Sequence, residues 1–136
     1  MSPFRRSTLL QSLIGAAVAL CLAAGAQAQP AYPSRPITLI NPYAAGGPAD
    51  TLARGLANAL ETRLKQPVIV DSKAGGAATI GTGYVARAKP DGYTLLISTS
   101  AGHVVTPLMQ RIAYDGINDF AFIAVVANQP NVLVVN

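Results

Sequence analysis

An α/β fold built on a parallel sheet is predicted by three features of the sequence. Short β-branched runs recur along the chain, each of the first two is followed by a glycine-bearing turn and a helical pattern, and proline or Asp-Gly turns bound them. Strand, glycine turn and helix in repeated order imply right-handed crossovers, which lay helices on both faces of the sheet.

The extended lead-in "YPSRP" precedes the first strand, because each proline biases the residue before it away from helix. "ITLIN", Ile37 to Asn41, is short, β-branched and held between Pro36 and Pro42, the pattern of a strand buried on both faces. After Gly46-Gly47, Leu52, Leu56, Leu60 and Leu64 recur four apart, with Ala53, Ala57 and Ala59 widening the stripe into an amphipathic helix. Pro48 fits its first turn, where a missing N–H costs nothing, Glu61 and Lys65 form a favourable i,i+4 pair, and Gln66-Pro67 ends it. "VIVD" is the second strand, "SKAGGAAT" the second glycine turn, and a second helix is expected from about Ile80 to Ala88. "KPDGY" turns the chain into a third buried strand, Thr94 to Ser98, followed by the polar loop "TSAGH". Beyond it a short helix at "VVTPLM", a loop at "AYDGINDF" and two strand candidates, "AFIAVVAN" and "NVLVV", are expected.

Residues 1–28 do not read as folding sequence. A basic start at Arg5 and Arg6, an apolar run from Leu9 and small residues at Ala26 and Ala28 have the form of a secretory signal peptide cut after Ala28. Leu20 stands where a lipoprotein signal needs a small residue before Cys21, so no membrane anchor is expected after cleavage, and Cys21 leaves with the leader. The formal net charge of +4 loses two basic residues with it, leaving eight basic against six acidic, all scattered. A nucleic-acid reader would gather its basic residues on one face, and no nucleic-acid partner is expected.

In an open parallel sheet, ligands sit beyond the carboxyl ends of the strands. All three polar turns follow strands and therefore share that edge. They supply Ala44, Ala45, Gly46, Gly47 and Asp50 from the first turn, Gly75, Gly76, Ala78 and Thr79 from the second, and Thr99, Ser100 and His103 from the third. Two of these turns feed helix N-termini, where free N–H groups favour an anion. The phosphate signatures G-x-x-x-x-G-K-[ST] and G-x-G-x-x-G are missing and the first turn has no basic residue, so a carboxylate fits better than a phosphate. Asp50 is read first as a residue that ties down the Gly-Gly turn, and His103 as a hydrogen-bonded loop residue beside a pocket. One histidine, no cysteine after processing and scattered aspartates give neither a nucleophile with its base nor a closed metal set, so no catalytic residue, metal or cofactor is expected.

Four segments, "YPSRPITLINPYAAGGPADTLARGLANAL", "QPVIVDSKAGGAATIG", "PDGYTLLISTSAGHVVTP" and "YDGINDFAFIAVVANQPNVLVVN", resemble in order and spacing the substrate-binding proteins of tripartite tricarboxylate transporters, the Bug family. The resemblance covers essentially the whole chain after the leader. It implies a non-enzymatic periplasmic receptor of the two-domain Venus-flytrap type II fold, which captures an organic acid in the interdomain cleft and delivers it to two membrane subunits. It also implies that residues 44–47, 75–79 and 99–103 form one wall of that cleft. Where the family commonly has a proline pair before Gly-Gly, this chain has Ala44-Ala45; where it commonly has glycines in the second turn, this chain has Ala77 and Ala78, which strain any left-handed backbone there.

The expected organisation is a leader over residues 1–28, an incomplete first domain over 29–125 and the start of a crossover to a second domain over 126–136. The apolar run that ends at Asn136 predicts the front part of a longer receptor, with impaired binding. Two other readings are a nucleotide-dependent enzyme fragment of Rossmann type, which the missing fingerprint and the leader oppose, and a small secreted interaction protein complete as it stands.

Overall fold

The computed structural model describes residues 31–128; the expected leader and most of the expected crossover, including the "NVLVV" strand, lie outside the described residues. The chain divides into two units, Met1–Ser34 and Arg35–Asn136. In the first, the described residues 31–34 carry no helix or strand. The sheet and its helices lie in the second.

Its sheet has three parallel strands in the order β2-β1-β3, with β1 at Ile37–Asn41, β2 at Val68–Ser72 and β3 at Thr94–Leu96. The register pairs Leu39 with Val70 on one side and with Leu95 on the other. Side chains alternate across a strand, so Ile37 and Leu39 of β1, Val68 and Val70 of β2, and Leu95 of β3 share one face. Helix α1, Pro48–Leu64, covers that face, and Ile37, Leu39, Ala53, Ala57, Val68 and Ile97 form the buried core. Burying an aliphatic side chain of this size contributes about 1.5–3 kcal/mol, which makes β1, with Ile37 and Ile40 fully buried, the keel of the sheet.

Helix α2, Thr79–Ala86, reaches the other face. A Cβ on Gly81 would lie 2.8 Å from Pro42 Cβ and 3.0 Å from the Lys73 carbonyl oxygen, so only glycine lets α2 come this near the end of β1. A π-helical turn, Ala101–Val105, then runs into the short helix α3, Thr106–Met109.

Several expectations are corrected. The deepest residues of α1 are Ala53 and Ala57, while Leu52 and Ala59 are exposed and Leu56, Leu60 and Leu64 are partly buried at the margin. Small side chains at the centre of the contact let the helix axis approach the sheet, and the leucines then seal its sides. Glu61 and Lys65 make no ion pair: Lys65 lies past the last turn at φ 56°, where left-handed backbone swings its side chain off the helix face. The third strand is three residues long and half-buried, and among the described residues it pairs on one side only, with β1. Residues 101–103 are helical, where a polar loop was expected. Residues 121–128, expected as a strand, pair with nothing among the described residues, and Phe122, Ile123 and Val125 are exposed. β-propensity marks a run that suits a sheet, but a strand forms only where a partner offers hydrogen bonds.

Candidate functional site

At the carboxyl end of β1 the chain must leave the sheet, and Pro42 has no N–H to continue the ladder. Asn41 turns it: its side-chain oxygen accepts the Tyr43 N–H at 3.2 Å, a local Asx turn. Gly46 then takes a φ of +81°, which suits glycine, and Gly47 caps α1 with Pro48 in the first turn.

Asp50 secures this turn. It is 4% exposed, and its carboxylate accepts Gly46 N–H at 3.0 Å, Arg54 Nε–H at 2.9 Å, and longer bonds of 3.4 Å from Asn41 Nδ2 and Ser72 Oγ. The Arg54 guanidinium, followed by the Gly46 amide, holds the Asp50 carboxyl below its ordinary value of 3.8. Asn41 and Ser72 are register partners at the ends of β1 and β2, and Asn41 Nδ2 also reaches Ser72 Oγ at 3.3 Å. One aspartate thus joins the first turn of α1, the glycine turn and two strand ends.

The turn after β2 has an unusual backbone. Gly75, Gly76, Ala77 and Ala78 have φ of +129°, +56°, +52° and +74°, so two alanines occupy the left-handed region where a Cβ costs roughly 1–2 kcal/mol. The turn is pinned by Thr79 Oγ1, which donates to Gly76 O at 2.7 Å, and by Thr106 Oγ1, which donates to Ala77 O at 3.1 Å. Ala78 is buried; Gly75, Gly76 and Ala77 are exposed.

After β3, Ile97 N–H still donates to Ile40 O at 3.0 Å, and Thr99 Oγ1 then accepts Ala101 N–H at 3.2 Å, which starts the helical turn. Thr99 and Ser100 are exposed. The His103 ring is engaged by a later segment: Nδ1 lies 2.7 Å from Gly116 O, and the ring makes edge-to-face contacts with Phe120 and Phe122 at centroid distances of 4.7 and 5.3 Å. Since a carbonyl oxygen only accepts, the Nδ1 proton is on His103. Tyr114 Oη donates to Gly102 O at 2.6 Å, and burial raises the Tyr114 pKa.

The strand order fixes where these pieces meet. From β1 the chain goes to β2 on one side and returns past β1 to β3 on the other, so the order reverses at the carboxyl ends of β1 and β3. There Tyr43 Oη and Thr99 Oγ1 lie 2.6 Å apart. The sequence-predicted residues 44–47 and 99–100 are thereby drawn to one rim. Asp50 stays beneath it with its carboxylate engaged, and His103 is directed into the segment 114–122. Tyr43 was not among the expected residues. Its signal was a polar aromatic directly after the proline that ends a buried strand, on the edge where ligands gather.

Such a rim offers hydroxyls and exposed backbone, and the nearby negative charge of Asp50 is already satisfied from within. This suits an acceptor-rich anionic group.

The family model of the tripartite tricarboxylate transporter family receptor matches residues 52–136. Protein BugT of Bordetella pertussis is 39% identical over 131 residues, covering 95% of this chain and 40% of that protein. A solved protein described as a periplasmic transporter superposes with a TM-score of 0.62 at 42% identity, over 64% of this chain and 30% of its own. MatC from Rhodopseudomonas palustris, solved with bound malate, also gives 0.62, at 34% identity over 65% of this chain and 31% of its own. The chain therefore spans about 40% of the length of the curated relative it matches.

Proposed function

The chain belongs to the tripartite tricarboxylate transporter receptor family, and from that premise we propose that it acts as a binding protein for an organic acid, held through a carboxylate at the rim where β1 and β3 end. The observation that carries this reading is the 2.6 Å contact between Tyr43 and Thr99, which brings two donor-rich loops together at the reversal of strand order. Ala44, Ala45 and Gly47 offer backbone amides, Thr99 and Ser100 offer hydroxyls, and Asp50 serves the site from below by holding the Gly46 N–H and so fixing the turn rather than by meeting the ligand. The strained turn at residues 75–78 is set by Thr79 and Thr106 and adds backbone donors from the β2 side. The malate held by MatC supports a carboxylate as the ligand group.

In this reading the protein binds and releases without chemistry. It is exported by the leader over residues 1–28, works in the periplasm, and hands its ligand to two membrane subunits of the transporter. Calorimetry with the full chain tests it against malate, succinate, adipate and a nucleotide panel. A saturable heat with at least one dicarboxylate and none with nucleotides is the expected result; nucleotide binding without acid binding rejects it.

A further inference from the structure

The pair formed by Tyr43 and Thr99 has a proton count that decides what it can offer. Two hydroxyls carry two protons, and the single bond between them at 2.6 Å uses one. Thr99 Oγ1 already accepts the Ala101 N–H at 3.2 Å. The phenol is the more acidic hydroxyl and hence the better donor. When Tyr43 donates, both lone pairs of Thr99 Oγ1 are occupied, and the Thr99 proton is the one left uncommitted.

We propose that Tyr43 locks Thr99 as a pure hydrogen-bond donor, so that the rim between β1 and β3 selects an ionised carboxylate oxygen over groups that must themselves donate. Tyr43 is then a positioning residue and Thr99 the residue that touches the ligand. The inference rests on the carboxylate-receptor reading and gives that reading its selectivity. An amide at this place can present only its carbonyl oxygen, without the gain that charge adds, and its NH₂ finds no acceptor on Thr99.

Two measurements on the full-length chain test this. The first needs no ligand: the tyrosine C–O stretch in the Raman difference between wild type and Tyr43→Phe isolates one phenol, and its frequency rises when the phenol donates, because the C–O bond gains phenolate-like double-bond character, and falls when it only accepts. A donor signature is expected; an acceptor signature overturns the lock. The second compares succinate with succinamide, in which both carboxylates are amides. Thr99→Val is expected to weaken succinate about tenfold, with Thr99→Ser restoring it. Tyr43→Phe is expected to weaken succinate about threefold and to narrow the succinate-to-succinamide ratio, because Thr99 regains a free lone pair. Equal losses for both ligands would mark Tyr43 as merely structural and overturn the proposal. If wild type binds no acid at all, the receptor reading fails, and the Raman result still decides whether Tyr43 donates.

Discussion

Tyr43 Oη and Thr99 Oγ1 are 56 residues apart in the chain and 2.6 Å apart in space, and their contact joins the loops after β1 and β3 at the carboxyl edge of the sheet. A partly exposed hydrogen bond of this kind contributes about 0.5–1 kcal/mol. Tyr43→Phe and Thr99→Val are each expected to lower the unfolding free energy by about that amount, and the double variant by little more than either alone. Urea denaturation of the four proteins measures it, and full additivity would show that the two hydroxyls do not interact in solution.

Asp50 makes the Gly46 turn sensitive to acid. Its carboxyl is held below 3.8 in the folded chain, first by Arg54 and then by the Gly46 amide, so its contribution is fully present above that value. It is lost as the pH falls through 3.8 toward the folded-state pKa. Asp50→Asn is expected to be less stable than wild type at neutral pH and to show a shallower decline on acidification. The decline that remains includes Asp115, lowered by the Asn118 and Ile117 amides. Thermal melts at a series of pH values compare the two slopes, and parallel curves would contradict the assignment.

Ala77 is exposed with a φ of +52°, a conformation that glycine adopts without strain. Ala77→Gly is expected to stabilise the chain by about 0.5–1 kcal/mol, the relief of strain exceeding the added freedom of the unfolded chain. Ala78 has a φ of +74° but is 3% exposed, so Ala78→Gly also removes a packed methyl and is expected to gain less. The melting temperatures of the two variants give the order, and a destabilised Ala77→Gly would mean that the turn is not left-handed in solution.

Gly81 allows α2 to meet the end of β1. An added Cβ would lie 2.8 Å from Pro42 Cβ and 2.9 Å from Pro42 Cα, a collision with backbone that cannot swing aside. Gly81→Ala is expected to cost about 1–3 kcal/mol, read as a lower urea midpoint. A midpoint equal to that of wild type would show that α2 sits farther from β1.

Local signals explain which parts of this fold can be read from sequence. Pro36 and Pro42 bracket β1, and the structure begins and ends that strand at Ile37 and Asn41; Pro48 likewise opens α1. The positive-φ strain anticipated for Ala77 and Ala78 is present, because those residues stand where the turn demands left-handed backbone. What escaped the sequence depends on partners far along the chain. Ala53 and Ala57 became the core of α1 because close helix-to-sheet approach rewards small side chains, which a count of leucines does not register. Residues 121–128 have strand composition and no strand, since pairing is decided by what lies alongside. Tyr43 shows its importance only once β3 is placed next to β1, and its partner is Thr99.

Amide chemical-shift mapping during a malate titration of the full chain probes the proposed carboxylate rim most directly. The account predicts saturable shifts gathered at residues 44–47 and 99–101, with the Tyr43 and Thr99 signals among the largest. Shifts confined to the opposite edge of the sheet, around Arg35 and Asp91, or no saturable shift with any dicarboxylate, would contradict it.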